Sequence, residues 1–340
     1  MATPLHVFAS ADLDEHLTPP WHPERRGRVE AALAGVPAAG LDGAYELREP
    51  SIAQRSDIER VHTPDYVRRL EQFCAAGGGD LDADTSVVPG SWPTALRAVG
   101  AVLDAVTALD EGQCDVAFAA SRPPGHHALA DRAMGFCVFN SVAVAAAKLA
   151  ARGDRVAIVD WDVHHGNGTQ DIFYDDERVL YVSTHESPLY PGTGRTTETG
   201  GPNAPMSNCN LPFPAGTRGD VYRQAFDELV APIVEAHRPD WLFISAGFDA
   251  HRNDPLAGLE LTSADFADLG VRLQALVPAR RTVVVLEGGY DFDALSMSTG
   301  AVLAAMIGEH HRPESASHGE IGLPTIAAAK QQWDRRGSSR

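Results

Sequence analysis

Aspartate and histidine recur at short, regular spacing in one segment of the sequence, DWDVHHGNG, which starts at Asp160. Asp162 and His164 stand two residues apart, so at the end of a β-strand their side chains point to the same side. A carboxylate and a neutral imidazole are good ligands for a divalent cation, and Asp249 in SAGFD is a candidate third ligand. Three protein ligands leave one coordination position open, as in catalytic zinc sites. Ligand type alone leaves Zn²⁺, Fe²⁺, Co²⁺ and Mn²⁺ open.

Two adjacent histidines and a tyrosine add groups that could move a proton or stabilise a negative charge. His126 and His127 are imidazoles that titrate near neutral pH, which suits them to take a proton from water and give it to a departing amine. The preceding Pro-Pro-Gly predicts a rigid turn that holds both rings. Tyr290 follows two glycines, and its hydroxyl could donate a hydrogen bond to a carbonyl oxygen that gains charge. Each signal is weak when it stands alone.

Short apolar runs rich in β-branched residues precede each of these groups in the sequence. The runs are residues 115–119, 156–159, 179–182, 241–244 and 283–286, with residues 5–8 as a candidate sixth. Continuous apolar runs are typical of strands covered on both faces, as in a parallel sheet. Ligands of such sheets bind outside the carboxyl ends of the strands. The polar groups that follow the runs are therefore expected to converge on one site.

Helical patterns lie between the predicted strands. The predicted helices are residues 94–111, 141–152, 220–237 and 264–277. Asn140 and Thr262 are predicted N-caps, the second in a capping box with Asp265. The alternation predicts one α/β domain, a mainly parallel sheet flanked by helices, over residues 1–310. Segments 185–219 and 311–340 are predicted loops, and we expect part of this C-terminal extension to be disordered.

Composition argues against several classes of function. The 28 basic and 46 acidic side chains give a formal net charge of −18, whereas nucleic acids and anionic membranes attract basic surfaces. The four cysteines form no CxxC pair, so neither a disulfide framework nor a cysteine zinc site is indicated. No signal peptide is recognised, and no uncharged apolar stretch reaches the roughly 18–20 residues that span a bilayer. We therefore expect a cytoplasmic protein; a homo-oligomer stays open.

The motifs closely resemble those of the histone deacetylase superfamily, above all its class II enzymes and their bacterial deacetylase and acetylpolyamine-amidohydrolase relatives. The segments that carry the resemblance are RPPGHHA, GFCVFN, DWDVHHGNGTQDIFY, YVSTHE, SAGFDAHRNDP and EGGY, with HPERRGR and VHTPDY as weaker matches. They occur in family order from about residue 22 to 290. The resemblance implies the arginase/deacetylase-like fold and a Zn²⁺-dependent amidohydrolase, with Fe²⁺ as an alternative metal and K⁺ as a second cation.

The resemblance also implies a role for each matching position. It makes Asp162, His164 and Asp249 the zinc ligands, His126 and His127 the tandem catalytic histidines, with His127 as general base and acid, and Tyr290 the residue that polarises the carbonyl. It also makes Asp160 the partner of the first histidine and assigns Asp160 and Ser183 to the monovalent-cation site. Phe136 and Tyr190 match residues that line the acyl-lysine channel, and Arg28 weakly matches the arginine of an inner acetate-exit pocket.

Departures from the family pattern concern subtype and substrate. Asn167 replaces the aspartate that partners the second histidine in class I enzymes, and a neutral partner should keep the pKa of His127 lower. Class II relatives share this asparagine. Leu256 stands where the polyamine-selective member of class II has an acidic residue. Because leucine cannot bind a distal ammonium, its presence favours an acyl-lysine side chain over a polyamine as the substrate. Whether Ser91 holds the substrate amide, as a polar residue does in some relatives, is open.

The motifs and their resemblance to this superfamily leave four hypotheses for the function. The leading hypothesis is a metal-dependent deacylase of acyl-lysine. An acetylpolyamine or other small acylated amine is the alternative substrate, and an arginase-like two-metal hydrolase would share the fold. A catalytically silent binder of acylated proteins is the non-enzymatic alternative. The neighbouring His165, His185 and Cys137 are expected to be structural.

Overall fold

The computed structural model describes residues 4–10 and 15–337. Its strands are β1 (Leu5–Phe8), β2 (Tyr45–Arg48), β3 (Gly79–Asp80), β4 (Ser86–Val87), β5 (Val116–Ala119), β6 (Val156–Asp160), β7 (Val179–Glu186), β8 (Asn208–Phe213), β9 (Trp241–Ala246) and β10 (Thr282–Leu286). Its helices are α1 (Gly27–Ala38), α2 (Arg55–Ile58), α3 (Pro64–Ala75), α4 (Ser91–Asp110), α5 (Ser141–Ala151), α6 (Asn167–Phe173), α7 (Gly219–Ala225), α8 (Ala231–His237), α9 (Ser263–Gln274), α10 (Phe292–Met306) and α11 (Leu323–Gly337).

One parallel sheet of eight strands organises the described chain. Its strand order is β2-β1-β5-β10-β9-β6-β7-β8, and every neighbouring pair runs parallel. The six predicted strands are all members of this sheet. Short strands β3 and β4 form a separate antiparallel pair. The prediction of an α/β fold with a parallel sheet flanked by helices is confirmed.

Apolar side chains from both faces of the sheet form two core clusters. Along β6, Ala157 and Val159 belong to one cluster, whereas Val156 and Ile158 belong to the other. Successive side chains of a strand point to opposite faces, so a strand covered on both sides must be apolar throughout. This explains why the strands appear in the sequence as uninterrupted apolar runs.

Polar side chains cap the starts of two helices at the predicted positions. The Asn140 side chain accepts a hydrogen bond from the backbone N–H of Ala143 and caps α5. Thr262 and Asp265 form the predicted capping box of α9. The predicted helix 220–237 is interrupted, because a π-helical segment, Phe226–Val230, joins α7 to α8.

The prediction of a loop over residues 185–219 is wrong in part. Strand β7 continues to Glu186, and β8 forms the edge of the sheet within this segment. The sequence conceals β8 because Asn208 and Asn210 interrupt its apolar pattern; both donate side-chain hydrogen bonds to Gln170 Oε1, at 3.0 and 2.7 Å. Pro212 is tolerated because it lies in an edge strand.

The prediction of a loop over residues 311–340 is also wrong in part, because this segment includes helix α11. Ile326 and Ala329 of this helix are buried in one of the two core clusters. The domain boundary at residue 310 and partial disorder beyond it stay predictions, and residues 338–340 lie outside the described part of the chain. None of the described helices has the length and apolar character needed to cross a membrane. The cytoplasmic location likewise stays a prediction.

Candidate active site

Three buried ligand-type side chains meet where β6 and β9 end. One ligand atom each from Asp162, His164 and Asp249 lies within 4.8 Å of the other two. Nδ1 of His164 is 3.1 Å from Oδ1 of Asp162 and 3.2 Å from Oδ2 of Asp249. The two carboxylates are fully buried, and the His164 side chain is only 12% exposed. The structure therefore brings together the three residues that the sequence suggested as metal ligands.

The chemistry of this cluster fits a divalent cation. Oδ2 of Asp162 accepts the N–H of Gly288 at 2.7 Å, and Oδ1 of Asp249 accepts the N–H of Val163 at 2.9 Å. Oδ2 of Asp249 is buried and accepts no well-aligned hydrogen bond from the described residues; Nδ1 of His164 lies 3.2 Å away. Burial raises the pKa of Asp249, and the nearby charge of Asp162 adds to the rise. Two adjacent buried carboxylates need a positive partner, which a bound cation would provide.

The tandem histidines have different partners. Nδ1 of His126 lies 3.0 Å from Oδ2 of Asp160, and Nδ1 of His127 lies 2.7 Å from Oδ1 of Asn167. Burial lowers the pKa of His126, but the charges of Asp162 and Asp160 outweigh it and raise this pKa to about 10. Burial and the charges of neighbouring histidines hold the pKa of His127 well below its ordinary value. His127 is therefore the neutral ring of the pair, able to accept a proton.

A carboxylate that sequence reasoning left without a role holds the turn before these histidines. Glu287, at the end of β10, accepts the backbone N–H groups of Gly125 and His126 at 2.7 and 3.1 Å. Burial raises the pKa of Glu287 to about 7. Cys137 accepts the N–H of His127 through its sulfur at 3.4 Å, which agrees with the structural role expected for it. The motif EGGY contains Glu287, but its contact with the turn depends on the pairing of β10 with β5.

Tyr290 is held from two sides. Its backbone N–H donates to Oδ2 of Asp254 at 2.7 Å, and the guanidinium carbon of Arg28 lies 4.8 Å from the centre of its ring. Arg28 is buried, donates to the carbonyl of Gly289 at 2.7 Å and pairs with Glu24 at 3.3 Å. Burial raises the pKa of Tyr290 well above its ordinary value, so the hydroxyl keeps its proton.

A cavity of about 210 Å³ leads from the surface to these groups. It is lined by Asp84, Pro124, His126, His127, Gly135, Phe136, His164, Leu189, Tyr190, Leu256, Gly288 and Tyr290. Histidines and Tyr290 form its closed end; the residues nearer the surface, which we call the mouth, are Asp84, Phe136, Tyr190 and Leu256. Asp84 was not predicted, because an acidic residue in a short hairpin carries no distinguishing signal.

The mouth is closely packed against the turn that carries His126 and His127. The Tyr190 ring stands edge-on to His127 with 5.1 Å between ring centres. Gly135 has φ +56°, and a Cβ there would lie 2.5 Å from the ring of His127. Only glycine fits this position, so the GFCVFN motif begins with a residue that lets Phe136 approach the site.

His165 and His185 support the mouth from behind. Nδ1 of His165 is 2.7 Å from Oγ1 of Thr193, and Nε2 of His185 is 3.1 Å from the carbonyl oxygen of Gly194. Both histidines are buried and neither lines the cavity. They hold the loop that carries Tyr190, which agrees with the structural role expected for them.

Two further predicted residues lie away from the cavity. Ser183 is buried beside Asp160 in the paired strands β6 and β7, and its Oγ lies 2.9 Å from Nδ1 of His185. Ser91, considered as a ligand for the substrate amide, starts α4 and lies 2.6 Å from Nδ1 of His16. Its hydroxyl also accepts the N–H of Val88 at 2.9 Å, so the structure gives Ser91 a structural role instead.

Known proteins resemble the chain along most of its length. The sequence profile of the histone deacetylase domain matches residues 22–306. A probable deacetylase of Archaeoglobus fulgidus is 40% identical over 301 residues, 86% of this chain and 84% of the relative. A histone deacetylase-like amidohydrolase of Pseudomonas aeruginosa is 39% identical over 320 residues, 92% of this chain and 83% of the relative.

A solved structure gives the same result at the level of the fold. The crystal structure of the HDA15 HD domain matches with a TM-score of 0.91 at 34% identity, covering 98% of this chain and 97% of that one. The agreement of sequence profile, relatives and fold shows that the chain belongs to the histone deacetylase family of deacetylases and amidohydrolases.

Proposed function

We propose that this chain removes an acetyl group, or another small acyl group, from acylated lysine side chains, with Zn²⁺ as the resident cation. The observation that carries the proposal is the cluster of Asp162, His164 and Asp249, whose His164 lines a cavity together with His127 and Tyr290. A divalent cation bound there supplies Lewis-acid activation of water and of the amide carbonyl. Fe²⁺ is the alternative occupant, since these ligand types also suit it.

Proton transfer and charge stabilisation fall to the chain's own side chains. The neutral ring of His127 accepts the proton of the attacking water and then delivers it to the departing amine. Asn167 orients this ring through its contact with Nδ1. Tyr290 keeps its hydroxyl proton and donates a hydrogen bond to the carbonyl oxygen as negative charge develops there.

The residues of the mouth favour an extended alkyl amine as the substrate. Phe136, Tyr190 and Leu256 give apolar contacts to a lysine methylene chain. Leu256 offers no charge to a distal ammonium, which favours acyl-lysine over an acetylpolyamine. The acidic side chain of Asp84 lies at the same mouth, so a small acylated amine remains the alternative substrate.

A monovalent cation is proposed as a second, structural ion. Asp160 and Ser183 are buried partners in adjacent strands and offer oxygen donors of the kind that K⁺ binds. Asp160 also contacts His126, so a cation there would adjust the charge around the tandem histidines.

The deciding experiment is turnover by zinc-loaded protein, measured by mass spectrometry with and without a chelator. An acetyl-lysine peptide and acetylspermidine are offered side by side. We expect chelator-sensitive cleavage of the peptide. Preference for acetylspermidine would overturn the substrate assignment and keep the mechanism.

Elemental analysis of the same sample separates the remaining alternatives. One tightly held divalent ion per chain supports the proposal, whereas two would favour an arginase-like two-metal hydrolase. Metal-loaded protein that cleaves neither these substrates nor longer acyl-lysines, but binds acylated peptide, would show a silent binder.

A further inference from the structure

A carboxylate beyond the family profile contacts the loop that follows the proposed metal ligand Asp249. The profile ends at residue 306, and Glu314 lies in the segment that leads to α11. Its side chain is only 10% exposed. Oε2 accepts hydrogen bonds from Nε2 of His251 at 2.7 Å and from the N–H of Ser263 at 2.9 Å, and Oε1 accepts one from Arg252 at 2.5 Å.

The hydrogen-bond pattern determines the direction of the contact with His251. Nδ1 of His251 accepts the backbone N–H of Asn253 at 3.2 Å, so Nε2 carries the hydrogen and donates it to Glu314. His251 is completely buried. Burial by itself raises the pKa of Glu314, but the N–H of Ser263 and the His251 ring outweigh it and lower this pKa to about 2. The carboxylate is therefore ionised at neutral pH and holds a buried donor that has no access to water.

The loop contacted by Glu314, residues 249–256, reaches the active site at three points. It begins with Asp249 of the proposed metal cluster. Asp254 in its middle accepts the backbone N–H of Tyr290 at 2.7 Å and, through its other oxygen, that of Leu256 at 3.0 Å. Leu256 at its end lines the cavity. A shift of this loop would therefore move a metal ligand and the backbone of Tyr290 together.

The segment around Glu314 is itself anchored, so it can hold the loop in place. The hydroxyl of Ser317 donates to Oδ2 of Asp265 at 2.6 Å, and the Thr262 hydroxyl donates to the carbonyl of Ser315 at 3.0 Å. Arg312 pairs with Asp268 of α9 at 2.9 Å. These contacts fix the segment on the N-terminal turns of α9. Of the residues named in this segment, Glu314 is the one that contacts the loop 249–256.

We propose that Glu314 is a positioning residue for the active site, holding the loop 249–256 so that Asp249 and Tyr290 keep their places. This inference rests on the metal site proposed above. Residues that hydrogen-bond directly to metal ligands contribute about 10- to 100-fold to metal affinity. Glu314 contacts no proposed ligand itself and acts through the loop 249–256. We therefore expect an effect near the lower end of that range.

The test compares Glu314→Ala with Arg312→Ala in the full-length protein. Arg312 lies in the same segment and makes a similar ion pair, but it contacts α9 and not the loop. Zinc affinity is measured by competition with a chelating dye, alongside kcat, KM and the melting temperature of the metal-free protein. Glu314→Gln, which keeps one acceptor oxygen, serves if the alanine variant does not fold.

The expected result is a zinc affinity about tenfold weaker and a lower kcat with little change in KM for Glu314→Ala, and neither effect for Arg312→Ala. Equal zinc affinities in the two variants would overturn the positioning role, even if both melt at lower temperature. Wild-type protein that binds no divalent metal would instead overturn the proposed function, so the two failures are distinguishable.

Discussion

The closed end of the cavity is built from strand ends, whereas its mouth is built from loops. Asp162, His164 and Asp249 follow β6 and β9, and the two carboxylates have no exposed surface. At the mouth, Tyr190 is 38% exposed, and the loop that carries it is held through the contact of Thr193 with His165. The sheet therefore fixes the groups assigned to the reaction, and the loops set what can enter.

This difference predicts two kinds of mutational effect. Changes at the closed end should reduce kcat or metal content for every substrate, because the reacting groups have no alternative positions in a packed sheet. Changes at the mouth should alter KM and the preference among substrates, because they act on the part of the substrate that does not react.

The largest expected effect is the loss of a metal ligand. Asp249→Ala removes one of two buried carboxylates, and turnover should fall about a thousandfold or more, since metal activation contributes several kcal/mol. Metal content by elemental analysis should fall with it. An Asp249→Ala variant that keeps its metal and most of its activity would contradict the assignment and with it the importance of the closed end.

Tyr290→Phe should lower kcat by about a hundredfold with little change in metal affinity, because only a hydrogen bond to the developing charge is removed. The phenyl ring keeps the packing against Arg28 and Phe136. Steady-state kinetics and a zinc titration of the same variant check both halves of the expectation. More than a tenth of the wild-type kcat would show that Tyr290 does not have the assigned role.

At the mouth, Leu256→Glu should change substrate preference and leave the chemistry intact. A carboxylate near a distal ammonium should raise the ratio of kcat/KM for acetylspermidine over acetyl-lysine peptide about tenfold, about 1.4 kcal/mol. Leu256→Gln is the matched control, with the same size and no charge. If both variants change the ratio equally, shape and not charge at this position decides the preference.

The smallest expected effect is a change in pH dependence at the closed end. Asn167→Asp places a negative charge beside His127, which favours the protonated ring and raises its pKa, by about one unit or more. His127 must be neutral to accept a proton, so activity should now be lost at a higher pH as the solution is acidified. The acidic limb of the kcat/KM profile measures this; a limb that stays or moves to lower pH would contradict the predicted pairing.

Much of the site could be anticipated because its residues follow strands that are obvious in the sequence. Uninterrupted apolar runs identified β6, β9 and β10, and parallel strands bring their carboxyl ends together. The two-residue spacing of Asp162 and His164 then predicted a shared direction for their side chains. Strand β8 was missed because its asparagines are buried through hydrogen bonds to Gln170, which no local pattern predicts.

The supporting carboxylates were also missed, and for a common reason. Glu287, Asp254 and Glu314 act by accepting hydrogen bonds from segments far away in the sequence. In the sequence, the neighbours of an acidic residue that accepts hydrogen bonds from distant backbone N–H groups look the same as those of an acidic residue exposed to water. Only the packed structure distinguishes the two.

The sequence by itself determined six of the eight strands of the sheet, the family resemblance and the identity of the candidate metal ligands and proton-transfer groups, because apolar runs, motifs and side-chain chemistry are local properties. The tertiary structure decided which carboxylates support them, that Ser91 binds His16 away from the cavity, and how the C-terminal segment contacts the loop 249–256. These contacts join residues that are distant along the chain, and their partners are selected by packing in three dimensions.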